Sequence, residues 1–291
     1  MAATSTHLRI GELSRRVGAS PALLRVWERR YGLLEPSRAA NGYRLYSRDD
    51  VRRAAEMQAH LARGVAPKEA AELAKAPPGD SAVEPSAFGA SALLARLREA
   101  LDRYDGAAGE RLVDRCLVNL GLADAIQGVV LPYLDELGTR WERGEISVAH
   151  EHFASNVVRR RLLRLAGDWE RGGGPVALLA CAPGEEHDVG LLCFGLSLYS
   201  YHGWRVKYLG ADTPLGDLVR ATRVIRPDLV VASAVTPARF FPELRHWADF
   251  GREFPVAIGG GGASAALARR MRAAYLSGDP VNAAARAAEG R

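Results

Sequence analysis

The hydrophobic and polar positions divide the chain into three regions with different periodicities. In the first region, residues 8–17 and 20–31 place apolar side chains at helical spacing, and Asn41-Gly42 predicts a tight hairpin turn between short extended segments. Ser20, followed by Pro21, is a favourable helix start, and Asp49 is expected to open a further helix. This order is typical of a helix-turn-helix followed by a wing.

The second region, from Ala92 to about Gly167, repeats apolar residues every three or four positions. Short breaks near Asp105 and at residues 143–145 predict roughly four helices. Between the first two regions, the stretch from Lys75 to Ser91 is rich in Pro, Gly, Ala and Ser, as expected of a linker.

In the third region, short apolar runs alternate with amphipathic stretches. The runs begin at Val176, Arg205, Leu229 and Pro255. Because they lack a polar face, they predict strands buried on both sides, in a parallel α/β sheet of the Rossmann-like (flavodoxin-like) kind. The predicted organisation is a winged helix-turn-helix head at 1–76, a linker at 77–91, an all-α four-helix bundle at 92–170 and a Rossmann-like domain at 175–291.

The charge is concentrated in the first region. Residues 1–76 hold 14 Lys/Arg against 8 Asp/Glu, a net +6, so the rest of the chain carries −1 of the overall +5. A basic segment on a neutral body favours nucleic-acid binding. Three cysteines without C-x-x-C spacing fit a reducing compartment, and no apolar run is long enough for a membrane span. We therefore expect a cytoplasmic protein with no membrane partner.

The first region resembles the MerR family of winged-helix regulators in LRVWERRYG, in NGYRLYS and in the helix after them. The resemblance implies a dimer on a palindromic double-stranded DNA operator, contacted by Arg25, Arg29, Arg30 and Tyr31 from the second helix and by Arg38, Tyr43 and Arg44 from the wing. The expected core residues are Trp27, Leu45 and Tyr46. The alternative interpretation is a small helical domain with a solvated cationic face.

A histidine comes after the first predicted strand of the third region, in the spacing Glu185-x-His187-x-x-Gly190. Loops at the carboxyl ends of parallel strands are where α/β sheets bind ligands. Glu185 can accept one imidazole N–H and fix the tautomer, as partners of metal-bound histidines do. Taken alone, a His and a Glu on one loop are more often explained by a surface hydrogen bond.

Two later features extend this pattern: Ser233-Ala-Val235 after the third strand, and glycines 259–262 after the fourth. Together they resemble the base-off, His-on cobalamin fold, whose motif is Asp-x-His-x-x-Gly with a later Ser-x-Leu and Gly-Gly. Glu185 and Val235 depart from it. The resemblance implies that His187 is the lower axial ligand of cobalt and that the cofactor is also contacted by Glu185, Gly190, Ser233, Val235, Gly259 and Gly260.

The bundle contains Trp141 ten positions before Glu151-His152. Alone, this spacing favours a core aromatic at Trp141 and a solvated helix face at Glu151-His152. In context it resembles the CarH-type light-responsive cobalamin regulators, in which these residues cover the upper axial group. The resemblance implies a homo-oligomer, dimer or tetramer, with adenosylcobalamin favoured over methylcobalamin.

One departure bears on light sensing. Light-sensing relatives carry His directly after that Trp, and this His captures cobalt once light has expelled the adenosyl group. This chain has Glu142 there, and a carboxylate is a poorer partner for cobalt. After illumination, the cobalt is therefore expected to hold water or a weaker ligand. His150 lies about 100° around the helix from Glu151 and is expected to point elsewhere.

The sequence therefore predicts a repressor whose oligomerisation and operator binding depend on the upper axial ligand, and not an enzyme. The alternatives are a light-independent cobalamin sensor, a corrinoid methyl carrier, and a regulator that has lost the cofactor. The basic head argues against the methyl carrier.

Overall fold

The structure is a computed structural model that describes residues 8–17, 19–38, 42–62, 66–75, 89–171 and 173–290. Of the predicted linker at 77–91, only residues 89–91 fall within these ranges. The turn residue Asn41 lies outside them. In the part of the chain that is described, no helix is long and apolar enough to cross a membrane.

The head is a small helical domain with a two-stranded antiparallel sheet. Its elements are α1 (Ile10–Val17), α2 (Pro21–Tyr31), β1 (Ser37–Arg38), β2 (Arg44–Leu45), α3 (Arg48–Ala62) and α4 (Pro67–Lys75). Ser20 caps α2 by accepting the N–H of Leu23, and Gly32 ends it in the left-handed conformation, as capping rules predict. Leu24, Trp27 and Tyr46 are buried, whereas Leu45 is half-buried.

The start of α3 differs from the prediction by one residue. The helix begins at Arg48, and the residue that caps it is Ser47, whose hydroxyl accepts the N–H of Asp50. The buried Asp50 carboxylate in turn accepts the N–H of Ser47. This reciprocal pair is a capping box, and Asp49 lies inside the first turn.

The bundle has the helices that the pattern of the second region predicts. Its elements are α5 (Ala90–Asp102), α6 (Gly106–Leu120), α7 (Leu122–Ala125), a π-helical turn (Ile126–Val130), α8 (Leu131–Glu142), α9 (Val148–Leu165) and a 3-10 turn (Ala166–Asp168). The breaks at Asp105 and at residues 143–145 are confirmed. A third break at Gly121, where φ is +83°, was not predicted.

The third region is the predicted Rossmann-like sheet. Its main elements are β3 (Val176–Cys181), α10 (Val189–His202), β4 (Arg205–Gly210), α11 (Leu215–Ile225), β5 (Leu229–Ser233), α12 (Leu244–Glu253), β6 (Val256–Gly259), α13 (Ala265–Met271), β7 (Ala274–Tyr275) and α14 (Pro280–Glu289). The strand order is β4-β3-β5-β6-β7 and every pairing is parallel. The two-residue edge strand β7 was not predicted.

The order of the strands determines where the loops meet. Because β3, β5 and β6 are neighbours and run in the same direction, the loops after Cys181, Ser233 and Gly259 emerge at one edge of the sheet. The candidate cofactor residues of the third region lie in these three loops or in the strand and helix ends beside them.

Candidate functional site

The loop after β3 is fixed by hydrogen bonds on both sides. Gly184, at φ +74°, donates its N–H to the Asp212 carboxylate over 2.6 Å, and Asp212 donates its own N–H to the carbonyl of Glu185 over 2.7 Å. The backbone of Glu185 is therefore tied to the loop after β4. This pairing restricts the conformation of the loop.

The side chain of Glu185 is buried and lies between two loops. One carboxylate oxygen, Oε1, accepts both the backbone N–H of His187 at 3.0 Å and its ring Nδ1 at 2.7 Å. The other, Oε2, accepts the backbone N–H of Val235, in the loop after β5, at 2.8 Å. Burial raises the pKa of Glu185, but the hydrogen bonds from His187 and Val235 lower it to about 2. The carboxylate is therefore ionised at neutral pH.

His187 is held at one ring nitrogen and exposed at the other side. Its side chain is 68% exposed, whereas that of Glu185 is 2% exposed. Because Nδ1 is engaged by Glu185, Nε2 is the ring nitrogen left to bind a ligand. The hydrogen bond to Glu185 raises the pKa of His187, and the nearby charge of Glu151 raises it further.

A narrow cavity of about 80 Å³ lies beside this loop, between the sheet and helices α10 and α14. Among its lining residues are Gly190, Ser233, Gly259 and Gly260. Gly260 has φ +85°, and a Cβ there would lie 2.5 Å from the carbonyl oxygen of Ala234. Four of the predicted cofactor residues therefore meet around one cavity, and glycine is required at position 260.

Val235 lies in the same neighbourhood but outside that lining. Its side chain is 51% exposed, and its backbone N–H is the group that contacts Glu185. It joins the loop after β5 to the His187 loop, which the sequence did not indicate.

The predicted cap residues lie at the junction of α8 and α9. Trp141 is in the last turn of α8 and is 47% exposed, an unusual position for so large an apolar side chain. Glu151 and His152 are in the first turns of α9, with 3.7 Å between Glu151 Oε2 and His152 Nε2. Glu151 is close enough to His187 to influence its pKa, so this end of the bundle faces the histidine loop.

His150 points away from this face, as expected. It is 7% exposed, and its Nε2 lies 3.2 Å from Oδ1 of Asp102 at the end of α5. Tyr104 packs edge-on against its ring at 5.0 Å. His150 is therefore a residue of the bundle interior.

In the head, the predicted DNA-contact residues are arranged along α2 and the wing. Arg25, Arg29, Arg30, Arg38, Tyr43 and Arg44 are exposed, whereas Tyr31 is half-buried beneath the guanidinium of Arg30, 5.7 Å from its ring centre. Glu28 of α2 accepts hydrogen bonds from Arg44 and from the Tyr46 hydroxyl, each at 3.0 Å. Helix α2, the predicted recognition helix, and strand β2 are thereby joined.

Sequence reasoning missed three residues near the histidine: Asp188, Arg159 and Tyr208. The buried Asp188 carboxylate accepts hydrogen bonds from Arg159 of α9 and Tyr208 of β4. Asp188 is visible beside His187, but its partners are 29 and 20 residues away, and no local pattern relates them.

Family models match most of the chain. The model described as MerR HTH family regulatory protein matches residues 8–76, and two models described as B12 binding domain match residues 93–166 and 175–286. A MerR-type head joined to two B12-binding domains defines a cobalamin-binding transcription regulator.

Two curated relatives have the same organisation. The HTH-type transcriptional repressors CarA and CarH of Myxococcus xanthus are each 36% identical to this chain. The CarA match spans 88% of this chain and 87% of CarA, and the CarH match spans 78% of each. The chain therefore belongs to this family of MerR-type, B12-binding transcriptional repressors.

Among solved structures, the monomethylamine corrinoid protein of Methanosarcina barkeri has a TM-score of 0.58 and 18% identity, covering 70% of this chain and all of that one. At that identity the likeness concerns the fold alone.

Proposed function

We propose that the protein is a repressor that binds adenosylcobalamin and whose assembly and operator binding depend on the upper axial ligand of cobalt. The observation that carries this proposal is the geometry of His187. Its Nδ1 is bonded to the buried Glu185 at 2.7 Å while the ring stays exposed at the carboxyl edge of the sheet. A histidine with a fixed tautomer and a free Nε2 is suited to axial ligation.

The residues around His187 fit a cobalamin. Nε2 of His187 would serve as the lower ligand, and Gly190, Ser233, Gly259 and Gly260 line a cavity suited to the displaced nucleotide tail. That cavity, about 80 Å³, is smaller than the pockets of roughly 300–1,000 Å³ in which small molecules usually bind. The tail must therefore widen it, so binding is expected to move α10 or α14 relative to the sheet.

On the upper side, Trp141 supplies apolar surface, and Glu151 and His152 supply hydrogen-bonding groups. An exposed tryptophan and a half-buried carboxylate suit a group with both an aromatic face and hydroxyls, such as adenosyl. When bound, adenosylcobalamin supplies a cobalt–carbon bond that visible light can break. Loss of the adenosyl group would leave these three side chains without their partner, which makes the bundle sensitive to illumination.

The residue after Trp141 determines how firmly the bundle holds the cofactor once light has removed the adenosyl group. Glu142 is exposed at the end of α8, where a carboxylate replaces the expected imidazole. A carboxylate is a weaker partner for this cobalt centre, so we infer that the illuminated state is less firmly held by the bundle. Assembly responds to the ligand only if one assembly state binds it several kcal/mol more tightly than the other.

The decisive experiment is the absorption spectrum of the full-length protein loaded with adenosylcobalamin in darkness, recorded before and after green light. We expect a base-off, His-on spectrum that changes irreversibly on illumination. His187→Ala should abolish the His-on form, whereas His202→Ala, at the exposed end of α10, should leave it unchanged. A bound spectrum that is stable to light would support a cobalamin sensor without photochemistry.

DNA binding is tested separately, with a double-stranded operator selected from a random pool. If Arg29 neutralises a phosphate, Arg29→Ala should weaken binding and lower the slope of log affinity against log salt by about 0.9. Lys68→Ala, on the exposed face of α4, is the matched loss of one positive charge and should leave the slope unchanged. Methyl transfer to a thiol, without specific DNA binding, would instead support the corrinoid methyl carrier.

A further inference from the structure

The residue directly after His187 is a buried carboxylate. Asp188 is 1% exposed and immediately precedes helix α10. Both of its oxygens lie 2.8 Å from Nε of Arg159, and Nη2 of Arg159 lies 2.7 Å from Oδ2. The hydroxyl of Tyr208 donates to Oδ2 at 2.5 Å. Three separate elements, α9, β4 and the start of α10, therefore meet at one carboxylate.

The two donors to Asp188 are a charged guanidinium and a neutral phenol. The hydrogen bond to Asp188 raises the pKa of Arg159, so the guanidinium keeps its charge. Burial, and then the hydrogen bond to Asp188, raise the pKa of Tyr208, so the phenol keeps its proton. The ring of Tyr208 also packs against Trp169 at 5.6 Å, which limits its movement. Asp188 cannot exchange these partners for water without a large penalty.

Arg159 is on the same helix as the upper-face residues. It lies seven positions after His152, which is two helical turns, so both side chains leave α9 on nearly the same side, about 10 Å apart along its axis. A displacement of α9 caused by a change at Glu151 and His152 therefore also displaces the guanidinium of Arg159. Since Asp188 is bonded covalently to His187, that displacement reaches the histidine.

We propose that Arg159 is a positioning residue that couples the bundle to His187 through Asp188, so that the occupant of the upper face influences the contact between Nε2 of His187 and cobalt. The inference rests on the proposed function, since it requires that His187 bind cobalamin. It adds a route by which the two faces of the cofactor communicate through the protein, and coupling of this kind acts in both directions.

The test measures axial nitrogen directly. Full-length protein in which histidine is labelled with 15N is loaded with cob(II)alamin, and its electron paramagnetic resonance spectrum is recorded. A 15N splitting marks His-on, whereas the nucleotide base of the cofactor gives a 14N splitting and a base-off, His-off form gives none. Arg159→Leu removes the charge, and Arg159→Leu combined with Asp188→Asn also removes the buried charge that would be left unpaired, which protects folding. We expect both to lower the ratio of His-on to His-off at least tenfold. Arg159→Lys, which keeps the charge but loses the planar fork, should recover part of it.

Two further variants complete the design. Arg160→Leu changes the adjacent arginine, which is 56% exposed and 3.6 Å from Glu110, and should give the wild-type spectrum. Tyr208→Phe removes one donor and leaves the ring packing in place, so it provides a mild variant with an intermediate ratio should the arginine variants fail to fold.

The outcomes separate the two ideas. Wild-type protein that is His-on, together with folded, cobalamin-bound Arg159 and Tyr208 variants of unchanged ratio, would overturn the coupling and leave the proposed function standing. Wild-type protein that takes up no cobalamin, or binds it without axial nitrogen from histidine, would overturn the proposed function and the coupling together.

Discussion

The carboxylate of Glu185 accepts the backbone N–H of Val235 across a separation of 50 residues, over 2.8 Å. Because its other oxygen holds the ring of His187, one side chain fixes the histidine relative to the loop after β5. From its buried position, the carboxylate of Glu185 therefore contacts both loops at once.

Replacing Glu185 should therefore weaken cobalamin binding more than replacing the neighbouring Glu186 does. Glu185→Gln removes the charge that binds the imidazole and is expected to weaken cobalamin binding about 10- to 100-fold, as loss of a histidine's partner does at metal sites. Glu186→Gln, at the adjacent exposed position, is the matched control. Equal affinities of the two variants, measured by spectroscopic titration, would contradict this role of Glu185.

Trp141 should matter for ligand choice and little for folding. Because its side chain is 47% exposed, Trp141→Ala is expected to lower the free energy of unfolding of the apoprotein by less than about 1 kcal/mol. Trp169→Ala, which removes a 6% exposed tryptophan, should cost about 3–5 kcal/mol.

In cobalamin titrations, the same Trp141→Ala variant should lose most of its preference for adenosyl- over hydroxocobalamin, about a tenfold change. Urea unfolding and titration together check both parts. A large loss of apoprotein stability would place Trp141 in the bundle core instead.

Two adjacent glycines should respond differently to alanine. At Gly259 a Cβ would make ordinary contact with Leu276 at 3.6 Å, so Gly259→Ala should leave apoprotein stability nearly unchanged while narrowing the cavity and weakening cobalamin binding. At Gly260, with φ +85° and a Cβ 2.5 Å from a carbonyl oxygen, Gly260→Ala should destabilise the apoprotein by about 1–3 kcal/mol. Thermal unfolding of the two variants without cofactor checks this difference. Equal losses of stability would contradict the conclusion that glycine is required at position 260 and not at position 259.

Alkaline pH should destabilise the folded chain through its buried thiols. Burial raises the pKa of Cys116, Cys181 and Cys193 from 9.0 to about 12. Below pH 9 the thiols are protonated in both the folded and the unfolded chain, so their contribution to the free energy of unfolding is fully present. Above pH 9 the unfolded chain loses protons that the folded chain keeps, so the free energy of unfolding falls as pH rises. Each thiol contributes about 1.4 kcal/mol per pH unit in this window.

This pH effect is measurable by urea unfolding between pH 8 and 10.5. Cys193→Ala should show a shallower fall than the wild type, because one of the three thiols no longer contributes. Identical slopes for the two proteins would show that another group is responsible.

Much of the fold could be predicted from the sequence by rules that concern only neighbouring residues. The cap at Ser20, the break at Asp105 and the four main strands are explained by residue preferences and by apolar runs that bury both faces of a strand. The edge strand Ala274–Tyr275 escaped prediction because two exposed residues carry no periodicity. The π-helical turn at Ile126–Val130 escaped because its residues have the same apolar spacing as an ordinary helix.

For the site, motifs identified the residues but not their partners. Glu185 and His187 are two positions apart, so their hydrogen bond could be anticipated from the sequence. The contacts of Glu185 with Val235 and of Arg159 with Asp188 join residues that only the folded chain brings together. Neither partner is unusual in its own segment, so no local signal marked them.

The hydrogen bonds from Arg44 and Tyr46 to Glu28 have a consequence for the search along DNA. They immobilise strand β2 against the recognition helix when the head folds, so the conformational entropy of ordering these side chains is lost at that stage. Immobilising one such side chain during association costs about 0.5–1.5 kcal/mol. The head can therefore meet successive stretches of duplex as a rigid template, and it does not lose this entropy again at each encounter.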